Sequence, residues 1–194
     1  MSISTWAIFT ISWRSLKREN AFVNRASSLI VSNDIKTVSK LLGESLTDKI
    51  LKRTITFSLN SILKSDSNSE INAAAEIAMN MSYAGIHLYK KNITNGISII
   101  GTMASTAPYI GLLGTVWGIV DSMAMFATAK SLTLQAIAPQ ITEALVATGV
   151  GLLVAIPASI LYNILVKRSN AIVDEVINLN LRAINVASMS AAQH

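Results

Sequence analysis

Residues 139–166, PQITEALVATGVGLLVAIPASILYNILV, decide the fold class of this chain. A hydrocarbon core about 30 Å thick is crossed by about 20 helical residues, because an α-helix rises about 1.5 Å per residue. The run is longer than that and almost entirely apolar or small, so it predicts a transmembrane helix. It contains one carboxylate, Glu143, about one turn inside its outer end. Because an acidic residue at the centre of such a helix costs about 2.5 to 3.5 kcal/mol on insertion scales, Glu143 is a candidate functional residue.

The composition of the whole chain is too apolar for an ordinary soluble domain. Of its 194 residues, 51% are hydrophobic and 14% are charged, and the mean hydropathy is +0.47. These values indicate an integral membrane protein. The chain has no cysteine and only two histidines, His87 and His194, which excludes disulfides, thiol chemistry and a zinc site of Cys and His ligands. We therefore expect no metal and no cofactor.

The distribution of basic residues predicts the orientation in the membrane. Twelve of the 16 Lys and Arg lie in residues 14–91, three follow the last apolar run, and Lys130 alone lies between the two long apolar runs. Because Lys and Arg accumulate in cytoplasmic segments, residues 14–91 and the C-terminal tail are predicted to be cytoplasmic. Membrane topology thus accounts for the net charge of +5, and we expect no binding to nucleic acid.

The first 13 residues, MSISTWAIFTISW, form a short apolar stretch that ends at Arg14. They are too few to cross a bilayer unaided. We interpret them as the inner half of a first span whose outer half is missing from this chain. A signal peptide is the alternative, but no basic residue precedes the apolar stretch and no small-residue cleavage site follows it.

Residues 14–91 have the periodicity of helices. We expect a short helix that Ser32 or Asn33 caps and Gly43 ends, followed by a second helix over residues 44–64. The apolar stripe on one side of the second helix consists of Ile50, Leu51, Ile55, Leu59 and Ile62. No nucleophile motif, phosphate-binding loop or paired-carboxylate cluster occurs in this region. The pattern favours a structural helical bundle and argues against an enzyme.

A third helix is predicted to begin after SDSNS, residues 65–69. Ser67 and Glu70 have the spacing of a capping box, in which the side chain of the first residue accepts a hydrogen bond from the backbone of the second. No residue strong enough to stop a helix occurs before Pro108. The helix is therefore predicted to continue from the cytoplasm into the membrane.

A second apolar run, residues 93–125, is rich in small side chains and carries no charge before Asp121. In lipid no hydrophobic force acts between helices, so small residues that let backbones approach closely are a main source of association. Five residues of the two long runs are expected to serve this helix packing: Gly111, Gly114, Gly118, Ala147 and Gly151. Pro108 and Pro157 are expected to kink their helices.

Three polar residues inside the two spans are candidates for function: Thr115, Glu143 and Thr148. Glu143 and Thr148 are five residues apart, which is about 140° around a helix, so both meet polar surroundings only if the helix is enclosed by others or lines a pore. Two alternatives stay open. A Thr hydroxyl often bonds the carbonyl one turn back, and Glu143 could be a neutral packing group. Asp121 is nearer the outer interface, where we expect it to be solvated.

Two motifs in these spans are similar to a known family. APYIGLLGTVWGI at residues 107–119 and APQITEALVATGVGLLVAIPASILYN at residues 138–163 resemble the paired signature of the MotA/TolQ/ExbB proton-channel family. The resemblance covers both complete spans. TLQAIAPQITEAL at residues 133–145 resembles the TolQ branch more than the ExbB branch, whereas Gly149 departs from the pattern, since many relatives have Ala there.

The resemblance implies an all-α membrane protein with long helices that extend into the cytoplasm. It implies a homopentamer around a central pore, lined by the second and third spans, that holds a single-span partner of the TolR or ExbD type. On this basis Thr115, Glu143 and Thr148 line the proton pathway. A periplasm-spanning protein of the TolA or TonB type would receive the mechanical output, and the chain would be a multi-pass protein of the bacterial inner membrane in contact with lipid.

These expectations divide the chain into six segments. They are a partial first transmembrane span (1–13), a cytoplasmic helical region (14–91), a second span (92–126), a periplasmic loop (127–138), a third span (139–166) and a cytoplasmic tail (167–194). The expected function is that of a TolQ-like proton-channel subunit that couples the proton motive force to outer-membrane integrity and cell-envelope constriction, without enzymatic activity. An ExbB-like energiser of TonB-dependent uptake and a passive membrane scaffold are the alternatives.

Overall fold

The structure, a computed structural model, describes residues 2–30, 49–65, 67–128 and 134–192. Within these ranges every regular element is an α-helix. The elements are α1 (Ser2–Ile30), α2 (Lys49–Leu63), α3 (Asn68–Thr128) and α4 (Leu134–Ala191). The prediction of an all-α chain is confirmed.

Helix α3 begins where the sequence predicts. The backbone N–H of Glu70 donates a hydrogen bond to Ser67 Oγ at 3.3 Å, so the serine caps one of the N–H groups that have no partner in the first turn. The helix then continues without interruption to Thr128, with Pro108 inside it. The predicted continuity from the polar region into the apolar run is therefore confirmed.

Helix α2 corresponds to the helix predicted over residues 44–64. Its described part is Lys49–Leu63, and Leu59 and Ile62 of the predicted apolar stripe are 1% and 0% exposed. Residues 44–48 lie outside the described residues. So does the short helix expected between Ser32 or Asn33 and Gly43, which remains a prediction.

The chain divides into two compact units to which α1, α3 and α4 all contribute. One comprises Met1–Thr10 and Gly96–Leu165, and we call it the apolar unit. The other comprises Ile11–Asn95 and Val166–His194, and we call it the charged unit. Of all Lys, Arg, Asp and Glu in the sequence, only Asp121, Lys130 and Glu143 belong to the apolar unit.

The charged unit has a mainly apolar interior, and polar contacts join α1 to α3 and α4. Tyr89 of α3 donates a hydrogen bond from its hydroxyl to Oε2 of Glu19 on α1 at 3.0 Å, and Glu19 is 4% exposed. The guanidinium of Arg168 on α4 stacks over the Trp13 ring of α1 at 4.4 Å from the ring centroid. Both contacts tie α1 to another helix of this unit, and the first satisfies a polar group whose unpaired burial would be unfavourable.

The apolar unit exposes its largest side chains. Tyr109, Trp117 and Leu153 are 71%, 75% and 74% exposed. In the most apolar stretches of α3 and α4, only 22% and 17% of the residues are buried within the chain. A core helix of a soluble protein would be mostly buried there, so these two helices have the length and the outward-facing surface of membrane spans.

Candidate functional site

The two long helices meet in the apolar unit along a contact made of Gly and Ala, which we call the small-residue seam. A Cβ added to Gly114 would lie 2.7 Å from the Ala147 Cβ, and one added to Gly118 would lie 2.6 Å from the Ala144 Cβ. Since real Cβ atoms do not approach so closely, α3 and α4 can be this near only because glycine has no side chain. The seam is an intrachain contact.

Where Gly111 faces Gly151, the backbones of the two helices are in direct contact. A Cβ on Gly151 would lie 2.8 Å from the Ala107 carbonyl oxygen and 2.9 Å from the Gly111 Cα, so it would meet backbone atoms of α3. Backbone cannot rotate away as a side chain can. Gly149, two residues earlier on α4, has no atom within 4 Å of an added Cβ and points into open space.

Thr148 uses this close approach to reach the other helix. Its Oγ1 donates a hydrogen bond to the Gly111 carbonyl at 3.0 Å, although the two residues are 37 positions apart in sequence. The side chain is half-buried. For Thr148, the alternative interpretation that the hydroxyl bonds the carbonyl one turn back in its own helix is therefore wrong.

The Thr115 hydroxyl, in contrast, bonds a carbonyl one turn back in its own helix. Its Oγ1 donates to the Leu112 carbonyl at 2.7 Å, within α3. Leu112 directly follows Gly111, so the hydroxyls of Thr115 and Thr148 end on two consecutive carbonyls of one helical turn. The structure thus brings these two candidates to the same place on α3, a relationship that sequence spacing could not supply.

Glu143 lies at the other end of the seam, where its side chain is exposed. It lines a groove of about 280 Å³ between α3 and α4. The other lining residues are Gly114, Trp117, Gly118, Asp121, Gln140, Ala144 and Ala147. The floor of the groove is therefore the seam itself, and its polar side chains are Asp121, Gln140, Glu143 and Trp117, whose indole N–H is a donor.

The groove joins Glu143 to a residue that sequence reasoning treated separately. Asp121 was expected to be solvated at the outer interface, and it is exposed, but it shares the groove with Glu143. Asp121 follows Gly118 by three residues and Gln140 precedes Ala144 by four, so the pairing of Gly118 with Ala144 brings both to the groove, and no signal in the sequence gives this pairing. Neither Thr115 nor Thr148 is among the residues that line the groove.

No group of three or more His, Asp or Glu is placed to hold a metal ion within the described ranges. His87 is exposed on α3 in the charged unit. What the apolar unit offers chemically is a pair of carboxyls on a helix–helix groove and two threonine hydroxyls already bonded to α3 carbonyls.

Comparison with known proteins assigns this arrangement to a family. The family model described as the MotA/TolQ/ExbB proton channel family matches residues 42–178, which include the whole seam and the groove. The chain belongs to this family. The resemblance inferred from the two sequence motifs is thereby confirmed, and the membrane-spanning interpretation of α3 and α4 agrees with it.

Individual relatives come from two branches of the MotA/TolQ/ExbB family. The chain is 50% identical over 82 residues to the Tol-Pal system protein TolQ of Haemophilus influenzae, a match that covers 42% of this chain and 36% of the relative. It is 31% identical over 170 residues to the biopolymer transport protein ExbB of Pseudomonas putida, covering 84% and 49%. It is 32% identical over 174 residues to the ExbB of Salmonella typhimurium, covering 86% and 69%.

These matches agree on the family and differ on the branch. The higher identity is to TolQ over the shorter stretch, whereas the longer alignments are to ExbB. The chain spans about a third to a half of the length of the first two of these relatives. The family therefore shows that this chain is of the proton-channel class. The activity and the partners of the whole protein are proposals.

Proposed function

We propose that this chain is the pore-forming subunit of a bacterial inner-membrane machine that converts proton flow into mechanical work. The observation that carries the proposal is the position of Glu143. It is a carboxylate on an apolar helix, exposed in the isolated chain, in a groove shared with Asp121. Facing lipid would be costly for such a group, so another chain or water must cover it, as in a pore formed between subunits.

The assembly that we propose is a homopentamer whose pore is lined by α3 and α4 and holds a single-span partner of the TolR or ExbD type. The exposed large apolar side chains of the apolar unit supply surface for neighbouring copies and for lipid. A charge that crosses the membrane potential yields about 2.3 kcal/mol per 100 mV, enough to bias the position of one packed part against another. No covalent chemistry is needed.

In this proposal the proton pathway passes Thr115, Glu143 and Thr148. Glu143 would bind a proton or tune the field of the pore, with Thr115 on α3 and Thr148 five residues further along α4. Residues 92–126 and 139–166 are the proposed spans, with residues 1–13 as part of a first span. Residues 14–91 and 167–194 would be cytoplasmic and residues 127–138 periplasmic.

Within the family we propose the TolQ-like role, with a TolA-like periplasm-spanning protein as the recipient of force and outer-membrane integrity as the outcome. The 50% identity over 82 residues to a Tol-Pal system protein supports it. The ExbB-like role, with a TonB-like recipient, is the second candidate, and the alignments over 84% and 86% of this chain support it.

Proton flux into vesicles tests the channel. The chain is purified with the single-span partner that copurifies from its own cells, and internal acidification is followed with a potential applied. Flux above that of vesicles carrying the chain without the partner is expected. An assembled complex that carries no flux would establish a passive scaffold instead.

Complementation separates the two branches. The chain is expressed in cells that lack TolQ and, separately, in cells that lack ExbB. We expect recovery of detergent resistance, a measure of outer-membrane integrity, in the first strain. Recovery only of TonB-dependent uptake in the second would assign the ExbB-like role.

A further inference from the structure

The hydrogen bond from Thr148 to Gly111 differs from those of other threonines in the two long helices. Thr102, Thr106, Thr115 and Thr142 each donate to a carbonyl three or four residues earlier in their own helix. Thr148 instead donates across the seam to α3 at 3.0 Å. A threonine that gives up the local carbonyl for one on another helix ties the two helices together.

The seam geometry makes this bond possible. A Cβ on Gly111 would lie 3.1 Å from the Thr148 Cα, so the absence of a side chain at Gly111 is what lets the Thr148 backbone approach. The Gly111 carbonyl also faces the N–H of Thr115, four residues on, as every carbonyl inside an α-helix does. A carbonyl oxygen has two lone pairs and can accept both.

The bond adds a directional constraint to the seam. The contacts between Gly and Ala determine how closely the two helices approach. A directional bond between one hydroxyl and one carbonyl sets the register. Glu143 precedes Thr148 by five residues on the same helix, so the register of α4 on α3 determines where the Glu143 carboxyl is presented.

We propose that Thr148 is a positioning residue, whose hydroxyl holds α4 on the Gly111 carbonyl and so places Glu143 in the pathway. The inference rests on the proposed channel function and refines the role of one of its residues. It excludes the other role for this hydroxyl, namely that of a free donor to pore water or to a carboxyl of the partner. When the partner is bound, the hydroxyl of a positioning residue stays on the Gly111 carbonyl, whereas a free donor bonds water or the partner's carboxyl.

The sequence permits a direct observation of the bond. Gly111–Leu112 and Gly151–Leu152 are the only Gly-Leu pairs in the chain. Labelling Gly at its carbonyl with ¹³C and Leu with ¹⁵N therefore selects two carbonyl signals by NMR, those of Gly111 and Gly151. A carbonyl that loses a hydrogen-bond donor moves upfield.

The variants are Thr148→Val, which keeps the shape and removes the hydroxyl, and Thr148→Ser, which keeps the hydroxyl. Thr142→Val is the matched control, because Thr142 lies on the same helix and bonds the Ala138 carbonyl of its own helix. We expect Thr148→Val to move the Gly111 signal upfield, while Thr148→Ser and Thr142→Val leave it in place. In vesicles, Thr148→Val is expected to reduce proton flux about tenfold at normal oligomer yield, as misplacement of a reacting group does, and Thr148→Ser to retain most of it.

Addition of the partner decides between the two roles. A positioning residue keeps the Gly111 signal at its wild-type position in the complex. Movement of that signal to the Thr148→Val position on partner binding would overturn the proposal, as would an unchanged signal in Thr148→Val itself or full flux from that variant. Absence of flux from the wild-type complex would instead overturn the channel function on which the positioning role rests, while the Gly111 signal would still report whether the bond exists.

Discussion

The Ala144 Cβ lies only 2.6 Å from the point that a Cβ on Gly118 would occupy. The space between the helices at this position holds only one Cβ atom. One of the two residues, 118 or 144, must therefore be glycine. The same holds at Gly114 and Ala147, where the corresponding distance is 2.7 Å. The spacing of α3 and α4 is thus determined by pairs of residues across the seam.

The first prediction exchanges one such pair. Gly118→Ala forces the helices apart or strains them, and we expect a loss of about 1 to 3 kcal/mol in stability, typical of overpacked contacts. Adding Ala144→Gly to Gly118→Ala restores the room and should recover most of that loss. Thermal unfolding of the purified protein in mild detergent measures both.

Gly149→Ala is the control for this exchange. An added Cβ there meets no atom within 4 Å, so the substitution should leave the unfolding temperature unchanged or raise it slightly. Equal destabilisation by Gly149→Ala and Gly118→Ala, or a double variant no better than Gly118→Ala, would contradict the seam.

The second prediction concerns the ionisable proton of Glu143. Glu143→Gln keeps the volume and the hydrogen-bonding capacity, Glu143→Asp keeps the proton but withdraws it by one methylene, and Glu143→Ala removes both. If Glu143 binds and releases the proton, the Glu143→Gln variant should have nearly as little proton flux as Glu143→Ala. The Glu143→Asp variant should retain part of the flux, and all three variants should assemble normally. Asp121→Asn, in the same groove but nearer the outer end, should reduce flux less.

Oligomer yield measured beside flux separates the alternatives for Glu143. A packing role would leave Glu143→Gln close to wild type and would make Glu143→Ala fail by losing assembly. Full flux from Glu143→Gln would remove Glu143 as a proton site.

The third prediction concerns the buried pair in the charged unit. Tyr89→Phe removes the hydroxyl that donates to Glu19 Oε2 at 3.0 Å, and Glu19 is only 4% exposed. Leaving a buried acceptor without its donor costs about 1 to 3 kcal/mol, so unfolding should shift to lower denaturant. Tyr83→Phe, on the same helix with Tyr83 51% exposed, should have no measurable effect.

A double-mutant cycle with Glu19→Gln then measures the interaction energy between Tyr89 and Glu19. The effect of Tyr89→Phe should be smaller in the Glu19→Gln background than in the wild type, because the donor no longer serves a carboxylate. Purely additive effects would show that the hydrogen bond contributes nothing to stability.

The fourth prediction concerns topology. The chain has no cysteine, so a single introduced thiol reports on its own position. Ser67→Cys and Gln135→Cys place thiols at exposed positions on either side of the long apolar run of α3. In intact cells a membrane-impermeant thiol reagent that reaches the periplasm should label Cys at position 135 and spare Cys at position 67, because positively charged segments stay in the cytoplasm. The reverse pattern would invert the proposed orientation.

Local chemistry let the sequence predict where α3 begins and how far it continues. The cap of Ser67 on Glu70 depends on residues three positions apart, and the continuity depends on the absence of helix breakers within one segment. Small residues in both apolar runs likewise predicted that helices pack closely there. Interactions of this kind form between neighbours in the sequence, so the sequence alone is sufficient to predict them.

The pairing across the seam could not be predicted in the same way. Whether a Thr hydroxyl bonds its own helix or another depends on how near the other backbone comes, and that distance at Thr148 is fixed by Gly111, 37 residues earlier. The groove shared by Asp121 and Glu143 and the stacking of Arg168 on Trp13 are of the same kind. Each depends on a register between helices that composition and periodicity do not contain.

The open side of Gly149 makes it an attachment point for a reporter. A cysteine there would be the only thiol in the chain, and a spin label on it would meet no atom of its own subunit close to the backbone. It would leave the contact of Gly151 with α3 intact two residues away. In a closed ring of identical copies such labels lie at a small set of repeated separations, so pulsed dipolar spectroscopy on one variant would count the subunits of the assembly.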